Sequence, residues 1–192
     1  MSSQLQYSSD LQQLIDDFQE VLDNEQHERI TDLLAQYPQS FELHFLDGSY
    51  QAEKGSYIQA KEAFERCLEA NPDYGIARFQ LCFLAVLNSD AETFNSYISP
   101  LLTQPEQGYL ALFAQALVYI LNDQVEQATQ ALSEGIMLNN ENLALNENMR
   151  KVLMMIGDDK DAQPEQVNEA DDDELTNSTN SVLLDIYKNK FN

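Results

Sequence analysis

The stretch Gly55-Ser56-Tyr57-Ile58-Gln59-Ala60, running on through Phe64 and Cys67 to Pro72, decides how the rest of the chain is read. Glycine enters left-handed backbone at no steric cost, so Gly55 marks a turn. Ala60, Phe64 and Cys67 then recur at helical spacing, and Pro72 closes the run because proline cannot continue a helix. Counted from Phe41 as 1, these residues stand at 20, 24, 27 and 32. The stretch reads as the turn and second helix of a helical hairpin.

Pro38 precedes Pro72 by 34 residues, Pro105 follows it by 33, and Asn139-Asn140 sits about where the next closing position belongs. A period of this length signals stacked hairpins. A small residue, an aromatic and a closing proline at these places of a 34-residue unit resemble the tetratricopeptide repeat (TPR) family, here a small bacterial TPR protein. The resemblance covers residues 8–156. It implies an all-α, TPR-like helical-hairpin solenoid of about four hairpins plus a capping helix; composition adds a disordered acidic C-terminal tail behind it. The second unit has two possible registers. One places Gly48 at position 8 and Gln51 at 11; the other, shifted by one, matches Leu43, Leu46, Asp47 and Tyr50 to the family pattern.

In chain order, Leu11, Leu14, Ile15, Phe18, Val21 and Leu22 predict a helix over 8–23. Asn24 is expected to break it and cap a second helix over 25–36, which Tyr37-Pro38 ends. The third unit is expected to hold helices over 74–88 and 91–102. Asp90 caps the latter, Phe94, Ile98 and Leu101 face inward, and Pro100 should distort or remove its last turn. The fourth unit spans 106–140 and turns at Asn122-Asp123. A capping helix over 141–156, apolar along Leu145, Met149, Val152, Leu153 and Ile156, should stop at Gly157.

Residues 157–180 include Asp171-Asp172-Asp173-Glu174 and too few apolar side chains to offset ordering entropy, so a disordered linker is expected. An apolar motif or short amphipathic helix returns over 181–192 with Val182, Leu183, Leu184, Ile186, Tyr187 and Phe191. Three roles stay open for it: filling the chain's own groove, self-association with a second copy, and docking on a separate partner.

Ten basic residues face 33 acidic ones, a net charge of -23, which disfavours nucleic acid and anionic membranes as partners. Met1 to Asp10 lacks a basic start and an apolar run, and the apolar stretch 109–121 is too short to span a bilayer, so a cytoplasmic location is expected. Cys67 and Cys82 read as reduced core thiols. His27 and His44 stand apart from other ligand types and read as surface or boundary residues rather than metal ligands. The sequence holds no phosphate loop, nucleophile elbow or zinc signature, so no enzyme, cofactor or metal role is expected.

The resemblance implies that first helices line a concave groove through positions 2, 5, 9 and 12. It assigns partner binding to Phe45, Ile76, Phe79, Phe83, Val86, Leu110, Phe113, Leu117 and Ile120. Independently, helices 76–87 and 109–121 are apolar almost all round and need cover on every side. The competing reading makes these side chains ordinary core. The expected function is a non-enzymatic protein–protein interaction module, an adaptor or scaffold that takes an apolar peptide or helix. A secretion-type chaperone for an apolar cargo segment and an acidic regulatory or immunity protein are the alternatives.

Overall fold

A computed structural model describes residues 2–103 and 108–158, with side chains over 7–103 and 108–157. The expected linker from 159 onward and the motif over 181–192 lie outside the described residues. Every described element is an α-helix, and there is no strand among the described residues. The order is α1 Ser2–Asp16, α2 Phe18–Asp23, α3 His27–Gln36, α4 Phe41–Glu53, α5 Tyr57–Ala70, α6 Gly75–Leu87, α7 Ala91–Thr103, α8 Tyr109–Leu121, α9 Val125–Leu138 and α10 Leu143–Asp158.

The 34-residue period is visible in the backbone. Helices α4, α6, α8 and α10 begin at 41, 75, 109 and 143; helices α5, α7 and α9 begin at 57, 91 and 125. The turns between them repeat as well. Gly55, Ser89 and Asp123 all have positive φ (74°, 55° and 54°), and Glu25 between α2 and α3 has φ 56°. In each turn this residue's N–H donates to the carbonyl three back, and the next N–H donates to the carbonyl five back: Gly55 to Ala52 and Ser56 to Gln51, Ser89 to Val86 and Asp90 to Ala85, Asp123 to Ile120 and Gln124 to Tyr119. This pair of bonds satisfies the last carbonyls of the preceding helix and reverses the chain. Glycine is the easy residue there. Ser89, Asp123 and Glu25 hold the same conformation at a cost, because their Cβ crowds the backbone.

Five boundaries differ from expectation. The first helix begins at Ser2 rather than at 8. The helix over 8–23 is interrupted at Asp17, whose carboxylate accepts from Gln13 (3.0 Å) and from Arg29 of α3 (2.6 Å). Asn24 is the C-cap of α2 rather than an N-cap, and α3 starts at His27 after Gln26. Pro100 lies inside α7, which continues to Thr103. One missing N–H removes one helical bond, and the last turn is held by Leu101, fully buried. Finally, α10 runs through Gly157 to Asp158, because its buried stripe Leu145, Met149, Val152 and Ile156 keeps helical spacing to the end.

The chain forms two compact units that divide between Arg78 and Phe79, within α6. In the first, Leu14, Val21, Ile30, Leu43, Leu46 and Tyr50 form a core that joins α1–α3 to one face of α4. Ser40 caps α4 by accepting from the Leu43 N–H at 3.1 Å, and the Tyr7 hydroxyl lies 2.6 Å from Ser40 Oγ, which ties α1 to that cap. The opposite face of α4 packs on α5 through Gly48: a Cβ there would fall 2.6 Å from the Phe64 ring. Gly48 is thus the small residue that admits the Phe64 ring. Leu43, Leu46 and Tyr50, the basis of the shifted register, belong to the other face of the same helix.

In the second unit α7 and α9 both pack on α8, and α10 packs on α9. The α9–α10 turn is held by asparagines. Asn139 Nδ2 donates to the Asn142 carbonyl and to Asn146 Oδ1, both at 2.9 Å; Asn139 Oδ1 accepts from the Asn142 N–H at 2.9 Å; Asn146 Nδ2 donates to the Asn139 carbonyl at 2.8 Å. Asn139 and Asn146 are each 2 % exposed, so these bonds replace water that burial removed.

Candidate functional site

The residues expected to line an aromatic groove are mostly interior. Phe79, Phe113 and Leu117 have no exposed surface, and Ile120, Val86, Leu110 and Phe83 are buried. Phe45 and Ile76, in the first unit, are half-buried. For α8 the cause is its packing on α9. Phe113, at the fifth position of its repeat, lies over Gly135 of α9, where a Cβ would fall 2.4 Å from the ring. Phe79 stands 5.9 Å from it and Tyr109 5.8 Å, measured between ring centroids, and Phe83 stacks on Phe79 at 6.1 Å. These rings therefore form an aromatic cluster inside the second unit. In the first unit Phe45 packs similarly, 5.6 Å from Phe64 and 5.3 Å from Tyr74.

Val86, though buried, also borders an open cleft. This cleft of about 450 Å³ lies in the second unit and is built from the end of α6, the first half of α7 and the end of α8. Val86, Phe94, Ile98, Val118 and Leu121 supply apolar walls, and Ser89, Asp90, Asn95 and Asn122 supply polar groups. Both repeat turns bring their residues here: Ser89-Asp90 starts α7 and Asn122 caps α8. Asp90 is held in place by its cap, accepting from the Thr93 N–H at 3.0 Å and from the Thr93 hydroxyl at 2.6 Å. Leu121 is 37 % exposed, and Asn95 and Ala91 are exposed, so the cleft opens to solvent along these three.

The stretch of chain that builds the cleft carries charge of one sign. From Phe79 to Met149 the sequence contains no Lys, Arg or His, while Asp90, Glu92, Asp123, Glu126, Glu134 and Glu141 fall within it. A partner with apolar side chains and adjacent positive charge would gain from both features. The sequence signal for the cleft was this basic-free stretch, together with Leu121 continuing an already apolar helix past its buried stripe. Neither belongs to the repeat pattern, so the pattern passed over Asn95, Val118 and Leu121.

The remaining candidates have structural roles. His27 Nε2 lies 2.7 Å from Asp47 Oδ1, and its ring stacks on Tyr50 at 4.7 Å, which joins α3 to α4. Among the described residues no group of three His, Cys, Asp or Glu could hold a metal ion. Cys67 and Cys82 are free and buried, and burial pushes the Cys67 thiol up to about 12, far from the reactive range. No described helix is long and apolar enough to cross a membrane. The expected motif over 181–192 lies outside the described residues. No protein-family model, curated protein or solved structure matches the chain.

Proposed function

We propose that this chain is a TPR-like repeat protein acting as a non-enzymatic interaction module, and that its partner site is the cleft of the second unit rather than a row of first-helix aromatics. The observation that carries the reading is an open apolar cleft within a 71-residue stretch, 79–149, that lacks any basic residue. The repeated turns at Gly55, Ser89 and Asp123 support the family resemblance. The partner is a short amphipathic segment whose apolar side chains fill the space between Phe94, Ile98, Val118 and Leu121, with Lys or Arg beside them. Apolar burial supplies affinity, and charge supplies selectivity and a faster encounter.

The test is a fluorescence-anisotropy titration of the full chain with a labelled twelve-residue amphipathic Leu/Lys peptide. The same peptide with Glu in place of Lys serves as control. The Leu/Lys peptide binds and the Leu/Glu peptide does not. The double substitution Asn95→Lys and Leu121→Lys, on two exposed residues, lowers affinity by about tenfold or more, the effect of opposing charge at close range. Equal binding of both peptides, or an unchanged affinity in the double variant, refutes the reading.

A further inference from the structure

Residues 182–187 read Val-Leu-Leu-Asp-Ile-Tyr, and Lys188 and Lys190 follow them. This segment combines the two properties the cleft selects. It is rich in aliphatic side chains, and two of the chain's ten basic residues follow it within three positions. Those two lysines are the natural complement of a cleft whose own stretch of chain has acidic residues and no basic ones.

Size and reach agree. A cleft of about 450 Å³ lies toward the lower end of the roughly 300–1,000 Å³ of ligand pockets, so it takes a few side chains rather than a whole helix. The tether from 159 to 181 contains 23 residues. Twenty-three residues can span up to roughly 75 Å. A compact unit of about 80 residues has a radius of gyration of about 12 Å. The end of α10 and the cleft belong to the same unit, so the tether can bring the segment to the cleft without help from a second copy.

We propose that residues 182–187 dock in the Ala85–Asn122 cleft of their own chain and compete there with an external partner. This rests on the reading of the cleft as a site for basic amphipathic segments. A short tether gives an effective concentration on the order of millimolar, so an intrinsic contact of about 0.1 mM weakens an external peptide about tenfold. The segment thereby sets a threshold: a partner must bind better than the tethered competitor.

The experiment compares the full chain with the full-length variant Leu184→Glu/Ile186→Glu, using the same labelled Leu/Lys peptide. Apparent affinity rises about tenfold in the variant, and amide exchange over 182–187 speeds up. In a second full-length protein, Asn95→Cys/Asn189→Cys, mild oxidation closes a disulfide within one monomer; Cys67 and Cys82 are buried and do not compete. Peptide binding that is equal in both proteins, with no disulfide formed, overturns the inference and leaves the cleft reading standing. Disulfide-linked dimers overturn it in favour of a second copy as the occupant. Failure of the peptide to bind either protein overturns the cleft reading itself.

Discussion

Gly135→Ala separates a closed aromatic cluster from an open groove by the sign of its effect. A Cβ at Gly135 would lie 2.4 Å from Phe113 Cε1 and 2.6 Å from Cδ1, far inside contact distance. The ring has nowhere to go: it is fully buried, with Phe79 and Tyr109 centroids 5.9 and 5.8 Å away. Either the ring leaves its rotamer or α8 parts from α9, and overpacking of this kind costs about 1–3 kcal/mol. Alanine in place of glycine inside a helix recovers about 1 kcal/mol of propensity. The net is a loss of up to about 2 kcal/mol, read from the urea midpoint by far-UV circular dichroism at unchanged slope. In an open groove the ring would swing aside, and the substitution would stabilise by up to about 1 kcal/mol. The two sites are coupled, so in a Phe113→Leu background the same alanine should cost at least about 0.5 kcal/mol less. A stabilised Gly135→Ala protein, or identical costs in both backgrounds, refutes the packing argument.

Other consequences follow from the turns, the asparagine network and the ion pair. Ser89→Gly and Asp123→Gly each relieve left-handed backbone strain and should stabilise by about 0.5–1 kcal/mol, whereas Gly55→Ala should cost about 1 kcal/mol; thermal midpoints check the opposite signs. Asn139→Ala leaves the Asn142 N–H and Asn146 Oδ1 without their partner and should cost about 1–3 kcal/mol by urea titration. The Arg29 guanidinium, by hydrogen bond, and then Gln13 hold the Asp17 carboxyl below its usual range. A depressed folded-state value means that the stabilisation is complete above the unfolded-state value and is lost as pH falls through the folded one. Asp17→Asn should therefore be less stable than the parent at neutral pH and equal to it once the pH is well below the carboxylate range; a difference that persists in strong acid contradicts this.

The architecture was legible because its signals are local. Gly55, Ala60, Phe64 and Pro72 each carry a backbone or packing reason that survives without tertiary context, and the period then placed α8 and α9 within a few residues. The burial of Phe79, Phe113 and Leu117 was not legible. An apolar side chain on an all-round apolar helix fits a groove and a core equally well, and the difference lies in Gly135, a small residue 22 positions from Phe113 in sequence. In the first unit the glycine stands on the first helix and the ring on the second, Gly48 under Phe64; in the second unit the order is reversed, Gly135 under Phe113. A motif that looks for glycine at one position misses the exchanged pair. Pro100 and Gly157 misled for a related reason: both residues favour helix ends, but buried Leu101 and Ile156 lie beyond or beside them and keep the helix going.

The most direct test of the cleft as the partner site is a methyl NMR titration of the full chain with the Leu/Lys peptide. The account predicts shifts concentrated at Val86, Ile98, Val118 and Leu121, with Phe94 ring contacts to the peptide. Shifts confined to the exposed apolar residues elsewhere, such as Met137, Leu138 and Leu143 at 80, 55 and 68 % exposure, would contradict it.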